Sequence, residues 1–309
     1  MNVFVSSYAL ASPVEPWDQA AEERLFSGLS RMNIAGVELP FYGRLHRRDE
    51  SWLFERLDPR WRVLVTLLPG TMERLAVEPR FGLASADASG RARALEFAGQ
   101  AAQGVARLHA HLGRRAVAAV LVHSAPRRIA GARWSLEAFA DSLSRLRALD
   151  WGGAEILVEH CDAHVAAHPP DKGFLSIEDE CAALRLSTGA APARALINWG
   201  RSAVEARSAD GALEHLRRAR EACLLAGLFF SGATPDDPDY GAWRDSHAPF
   251  SASRSGSLLT RAAARAALDA AGSLDYLGLK IQPLPAGLGT EERLAFLRVN
   301  RDELSAAAA

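Results

Sequence analysis

Residues 155–160 read Glu-Ile-Leu-Val-Glu-His, an aliphatic core of three residues closed by a carboxylate. A short apolar run rich in β-branched side chains suits a strand buried on both faces, the kind found in parallel sheets. Working outward, the same pattern recurs. Upstream lie VFVSSY (3–8), GVELPF (36–41) with Glu38, RVLVTLLPG (62–70) with Thr66, and AVLVHS (119–124) with His123. Downstream lie ALINWG (195–200) with Asn198, LFFSGA (228–233) with Ser231, and LGLKIQ (277–282) with Lys280. An amphipathic stretch long enough for a helix separates successive runs. Eight βα units in one chain point to α/β architecture as a (β/α)8 TIM barrel, whose functional groups gather at the C-terminal ends of the strands.

Strands are expected over Asn2–Tyr8, Gly36–Phe41, Trp61–Leu68, Val117–His123, Glu155–Glu159, Arg194–Asn198, Gly227–Ser231 and Tyr276–Ile281. The helices between them are read as Trp17–Met32, Ser51–Leu57, Ala92–Leu112, Leu136–Leu149, Ile177–Leu186, Gly211–Cys223 and Leu258–Ala271, with Glu291–Ser305 closing the ring. Ser135 is the expected cap of the fourth. Residues 306–309 read as a frayed tail. Helix-to-strand links are short, whereas the strand-to-helix links Gly70–Ala88, His160–Ser176 and Gly232–Ser257 are long. Long loops gathered on one face form an active-site rim. The last of them, with Asp236, Asp237, Asp239, Tyr240, Trp243, Asp245, His247 and Phe250, has the composition of a lid over a polar ligand.

The bulk numbers narrow the function. At 309 residues, 49% hydrophobic and 24% charged, the chain suits one barrel domain spanning 1–309. A net charge of −1 gives no ground for a nucleic-acid or membrane partner. The N-terminus lacks the basic and long apolar regions of a signal peptide, which makes the cytoplasm the expected location. Cys161, Cys181 and Cys223 follow no zinc or redox spacing. Only two of the 36 basic residues are lysines, Lys172 and Lys280; the rest are arginines. In a chain so biased, a lysine at a strand end stands out, because an ammonium can lose its proton and a guanidinium does not.

Position at a strand end ranks the candidates. Glu159, Lys280, His123 and Glu38 are the expected catalytic groups: a carboxylate or imidazole moves protons near neutral pH, and an ammonium stabilises a developing oxyanion. Asn198, Trp199, His247, Tyr8 and Arg201 are the expected substrate-binding residues, with amide, aromatic and cationic surfaces suited to a hydroxylated ring. Each also has a structural alternative, as a satisfied core histidine, a rim ion pair or a packing aromatic. His160, His164 and His168 share helical spacing, but Pro169-Pro170 argues against a helix there, and no metal ligands are expected among them.

GVELPF on strand 2, LVHSAP on strand 4 and LVEHCD on strand 5 resemble the xylose-isomerase-like barrels, which include sugar isomerases, sugar epimerases and metal-dependent abasic-site endonucleases. INWGRSAVE (197–205), DSHAPFS (245–251) and LGLKIQPLP (277–285) are similar to an uncharacterised bacterial domain-of-unknown-function family within that group. The resemblance implies metal ligands after strands 5 to 8: glutamate, aspartate, histidine and glutamate. Here those places hold Glu159, Asn198, Ser231 and Lys280, so a single ligand matches.

The leading expectation is therefore a sugar isomerase or epimerase-like enzyme acting on a small carbohydrate or sugar derivative, with no metal and no other cofactor. The alternatives are a lyase or aldolase forming a Schiff base through Lys280, and a sugar-binding barrel without turnover. The expected partner is a small molecule, and the sequence leaves homo-oligomerisation open.

Overall fold

A computed structural model describes residues 2–11 and 15–309; Met1 and the Ser12-Pro13-Val14 stretch of the N-terminal segment lie outside the described residues. Eight strands run parallel and close in sequence order: β1 (Phe4–Ser6), β2 (Gly36–Pro40), β3 (Arg62–Thr66), β4 (Val117–Val122), β5 (Glu155–Glu159), β6 (Ala193–Asn198), β7 (Leu225–Phe230) and β8 (Tyr276–Leu279). The expected (β/α)8 barrel is thus the observed fold.

Eleven helices connect the strands among the described residues: α1 (Ser7–Leu10), α2 (Gln19–Ser30), α3 (Glu50–Arg56), α4 (Leu68–Val77), α5 (Ala88–Leu112), α6 (Leu136–Arg147), α7 (Ile177–Leu186), α8 (Trp199–Ala206), α9 (Asp210–Glu221), α10 (Arg261–Ala271) and α11 (Thr290–Ala308). Short polar side chains start most of the long ones: Asp18, Asp87, Ser135, Ser176 and Thr260 each accept a backbone N–H three residues on. Three departures from the sequence reading stand out. The stretch after β3, read as polar loop from Gly70, begins with α4, in which Pro69 near the first turn is well tolerated and Leu68 and Thr71 are buried. The residues after Asn198 form α8, a helix of two turns that starts directly at the strand end with Asn198 as its cap. The C-terminal alanines continue α11 to Ala308, and Ala307 is buried.

Strand alternation sorts the barrel into two cores. Side chains facing the helices, such as Val5, Val37, Val63, Val120, Ile156, Ile197 and Leu228, join the large core between barrel and helices. Those facing inward, Phe4, Leu64, Leu121, Leu157, Leu196, Phe229 and Tyr276 among them, fill the lumen. The barrel is packed, as the fold requires. Gly278 contributes by having no side chain: a Cβ there would stand 2.4 Å from the Phe229 ring. Above this apolar plug the next inward positions are polar, and they form the mouth.

Candidate active site

Period-two alternation carries the inward face of each strand from the plug to the mouth. Glu38 (β2), Glu159 (β5), Asn198 (β6), and His123, Ser231 and Lys280 just beyond β4, β7 and β8 lie at this level, together with Ser6 and Thr66. All are buried, and Glu38, Glu159, Asn198 and Lys280 are 0% exposed.

Lys280 is the centre. Its Nζ stands 2.7 Å from Glu38 Oε1 and 2.8 Å from Glu159 Oε1. Glu159 is a hub: Oε2 lies 2.9 Å from His123 Nε2 and 2.9 Å from the Arg201 guanidinium, and Asn198 Nδ2 donates to Oε1 at 3.3 Å. Glu38 is held from the other side by the hydroxyl of Ser6, its register partner on β1, which donates to Oε2. The Tyr8 ring centroid lies 5.9 Å from Lys280 Nζ, on the one turn of α1 that follows β1. Tyr8 therefore reaches the mouth from a helical turn rather than from the end of an extended strand.

Two carboxylates so close together end in different states. Burial pushes the Glu38 carboxyl up to about 7, against the pull of Lys280. Burial acts on Glu159 too, yet Arg201, Lys280 and His123 together hold it well below the usual carboxylate range. Burial lowers His123 to about 4 despite its bond to Glu159, so its imidazole is neutral near pH 7, and its Nδ1 has no partner among the described residues. Burial, with Glu38 and Glu159 nearby, raises the Tyr8 phenol well above its ordinary value. A site with one permanently ionised carboxylate and one titrating near neutrality has the usual arrangement for moving a proton.

A second tier of charges closes over this group. Asn198 caps α8, accepting the Arg201 N–H at 3.3 Å and the Ser231 hydroxyl at 2.7 Å, and the helix start so fixed carries Arg201 over the mouth. Gly200 allows the close approach, since a Cβ there would lie 2.5 Å from Ser231 Oγ. Arg201, fully buried, places Nε 2.9 Å from Asp245 Oδ2 in the long loop after β7. Asp245 also meets Lys172 Nζ at 3.1 Å and His247 Nδ1 at 3.1 Å, and Lys172 pairs with Asp171 at 2.6 Å. The loop is tied further by Gly232 N–H to the Ala248 carbonyl and Gln282 N–H to that of His247. His247 sits at φ +55°, a left-handed conformation uncommon for a residue with a Cβ.

Of the nine residues singled out from sequence, eight meet here: Glu38, Glu159, Lys280, His123, Asn198, Tyr8, Arg201 and, through Asp245, His247. Trp199 does not. It follows the inward-facing Asn198, points outward, and is 0% exposed in the core between barrel and helices. It cannot form the apolar wall of the mouth. Ser6, Asp245 and Lys172 were not singled out. Ser6 was available from alternation, two residues before Tyr8. Lys172 was available from the same lysine scarcity that marked Lys280; both lysines end in this one charge network.

The family model for a domain of unknown function, DUF4862, matches residues 4–296. The chain belongs to this family. A relative, the uncharacterized protein STM3670 of Salmonella typhimurium strain LT2, is 31% identical over 303 residues, 95% of this chain and 94% of the relative. Among solved structures, an L-ribulose 3-epimerase superposes with a TM-score of 0.63 at 16% identity, covering 100% of this chain and 96% of the other. A D-tagatose 3-epimerase-like protein gives 0.62 at 14%, with all of both chains covered. A putative xylose isomerase from Rhodospirillum rubrum gives 0.63 at 13%, covering 99% and 98%. At such identities the likeness shows the (β/α)8 barrel fold alone.

Proposed function

We propose that this DUF4862 chain is a sugar isomerase or epimerase-like enzyme that acts on a small, uncharged carbohydrate without a divalent metal, and that residues 1–309 work as one barrel domain. The observation that carries the reading is the Lys280 ammonium held between Glu38 and Glu159. A substrate carbonyl oxygen that takes the place of one carboxylate beside Nζ has its developing negative charge stabilised by the ammonium. Glu38, poised near neutrality, removes the proton from the neighbouring carbon and delivers it to the former carbonyl carbon, while the hydroxyl proton on that neighbouring carbon passes to the oxygen beside Nζ. Glu159 stays ionised beside Lys280, and His123, neutral, braces Glu159.

The donor set supports the metal-free part of this reading. At the ends of β5 to β8 stand Glu159, Asn198, Ser231 and Lys280. Asn198 Oδ1 is taken up by the Ser231 hydroxyl and the Arg201 N–H, and an ammonium and a guanidinium flank the one remaining carboxylate. A divalent cation needs several anionic or imidazole donors and is repelled by these two cations, so the residues do not suit one. Charge also bears on the substrate. Arg201 and Lys280 share Glu159, with Asp245 beside the first and Glu38 beside the second, so among the described residues neither of these two cations stands free for a phosphate. Glu38, Glu159 and Lys280 are wholly buried, so entry requires the loop 232–257 to lift, breaking the Asp245 contacts to Arg201 and Lys172.

The test is turnover on a panel of aldoses, ketoses and their epimers after exhaustive chelation. The expected result is interconversion that survives chelation, is abolished by Lys280→Met and is retained in part by Lys280→Arg. Activity that returns only with added metal, together with metal uptake that Glu159→Gln removes, would place an ion in the mouth and overturn the reading. The Schiff-base reading rests on the burial of Lys280; it requires Lys280→Arg to be as inactive as Lys280→Met and borohydride with substrate to trap an adduct. A pure binding barrel would bind a sugar with no turnover in any variant.

A further inference from the structure

Glu159 and His160 are neighbours whose side chains leave the end of β5 on opposite sides. The carboxylate enters the mouth, and the imidazole enters the layer between barrel and helices. There His160 meets Glu205 of α8 and His215 of α9, contributed by three separate elements. His160 Nε2 lies 3.0 Å from Glu205 Oε2, and His215 Nε2 lies 3.4 Å from Glu205 Oε1. One donor atom from each of the three falls within 4.8 Å of the others. Two atoms bound to one ion at zinc distances and a tetrahedral angle stand about 3.3 Å apart.

The surroundings are those of ligands held in place. His160 Nδ1 faces Glu180 Oε2 at 2.7 Å, and His215 Nδ1 faces Ser202 Oγ at 2.9 Å, which leaves both Nε2 atoms turned toward Glu205. A ligating histidine characteristically gives its second ring nitrogen to such a partner. Glu180 is held in turn by the Ser124 hydroxyl at 2.5 Å, and Glu205 by the Ala163 N–H at 2.7 Å. Among the described residues no lysine or arginine pairs with Glu180 or Glu205; their pairing partners are the two imidazoles. Two neutral histidines, two carboxylates and one dication sum to zero. The side chains of His160, Glu205 and His215 are 0%, 11% and 9% exposed, which leaves Glu205 and His215 a narrow path to solvent.

We propose that His160, Glu205 and His215 bind one divalent ion of the zinc class, with water as the fourth ligand, and that this ion ties the end of β5 to α8 and α9. The site lies behind the barrel wall from the mouth and takes no part in the chemistry proposed there. Its effect on that chemistry is through position, because α8 carries Arg201 and β5 carries Glu159. The rival arrangement is metal-free: burial works against charge on His160, but Glu180 and Glu205 raise it to about 10, and the imidazolium itself would bridge the two acids.

Zinc(II) titration of the chelator-stripped protein, in competition with a chromophoric chelator, separates the two. The wild type is expected to take up one equivalent and to gain thermal stability. Glu205→Gln and His215→Leu are expected to weaken uptake by about 100-fold or more and to abolish the thermal gain. Glu38→Gln, which alters a mouth carboxylate, is expected to leave both unchanged. Circular dichroism of the stripped variants establishes that each is folded. No stoichiometric uptake by the wild type would overturn the site in favour of the imidazolium bridge. Uptake lost in Glu38→Gln but kept in His215→Leu would also overturn it, by placing the ion in the mouth. Neither readout depends on sugar turnover, so the two proposals fail separately.

Discussion

The two glutamates of β5, Glu155 and Glu159, share one face of one strand and sit at opposite ends of the lumen. On the floor, Glu155 forms a two-pronged pair with Arg194 at 2.5 and 2.8 Å and accepts the Tyr276 hydroxyl at 3.1 Å. Arg194 is 32% exposed and also reaches Asp275. In the mouth, Glu159 meets a lysine, an arginine, a histidine and an asparagine, and water reaches none of them. The floor matches each charge beside solvent, where a pair is easily formed and easily lost. The mouth crowds charges where none can be left unmatched. The first arrangement closes the barrel; the second keeps groups in states they would not hold in water, which is what proton transfer needs.

Breaking the contrast most forcefully is Lys280→Met, which strands Glu38 and Glu159 face to face. Removing one partner from a buried ion pair is expected to cost about 3–5 kcal/mol of unfolding free energy, measured by denaturant titration, in addition to abolishing turnover. The pH dependence of stability sharpens it. Glu38 is raised from 4.5 to about 7 in the fold, so its contribution is full below about 4.5 and is lost as pH rises through about 7. Relative to Glu38→Gln, the wild type should lose up to about 3 kcal/mol across that window. His123 has the opposite sign. Its value falls from 6.5 to about 4, so its contribution is full above about 6.5 and is lost as pH falls through about 4. Relative to His123→Gln, the wild type should weaken by a similar amount on acidification. If both variants track the wild type at every pH, the mouth is no more perturbed than the floor. The smallest effect belongs to Arg194→Met, expected to cost about 1 kcal/mol or less because its pair is partly solvated and salt-screened. A loss as large as that of Lys280→Met would erase the distinction between the two ends.

Much of this contrast was legible before the fold. In a buried parallel strand the side-chain period is two, so an apolar run closed by Glu159, His123 or Lys280 delivers that residue to one end of the lumen once the fold is a barrel. The same rule, applied one residue further, places Trp199 outside the mouth, although an aromatic beside Asn198 had looked like part of a sugar site. Two helices were harder. α4 starts without a side-chain cap and carries Pro69-Gly70 in its first turn, a dipeptide that reads as a turn, and the role of Asn198 as the cap of α8 is visible only when the next residues are seen to turn.

Contacts between distant elements were beyond the sequence altogether. Asp245 was one of several acids in a long loop, and only the folded loop brings it to Arg201, Lys172 and His247. His160, Glu205 and His215 follow no ligand spacing because they come from a strand end and two helices, while the run of three histidines with helical spacing separates: His164 is exposed, and His168 bonds backbone carbonyls. The sequence by itself determined the barrel, the end at which chemistry could lie, and the strand-borne groups there, because all three follow from local periodicity and from where charge interrupts an apolar run. The tertiary structure alone decided which of those groups meet, which are ionised and what covers them. Those outcomes depend on distances of a few ångströms between residues tens of positions apart, and on how completely packing removes water from between them.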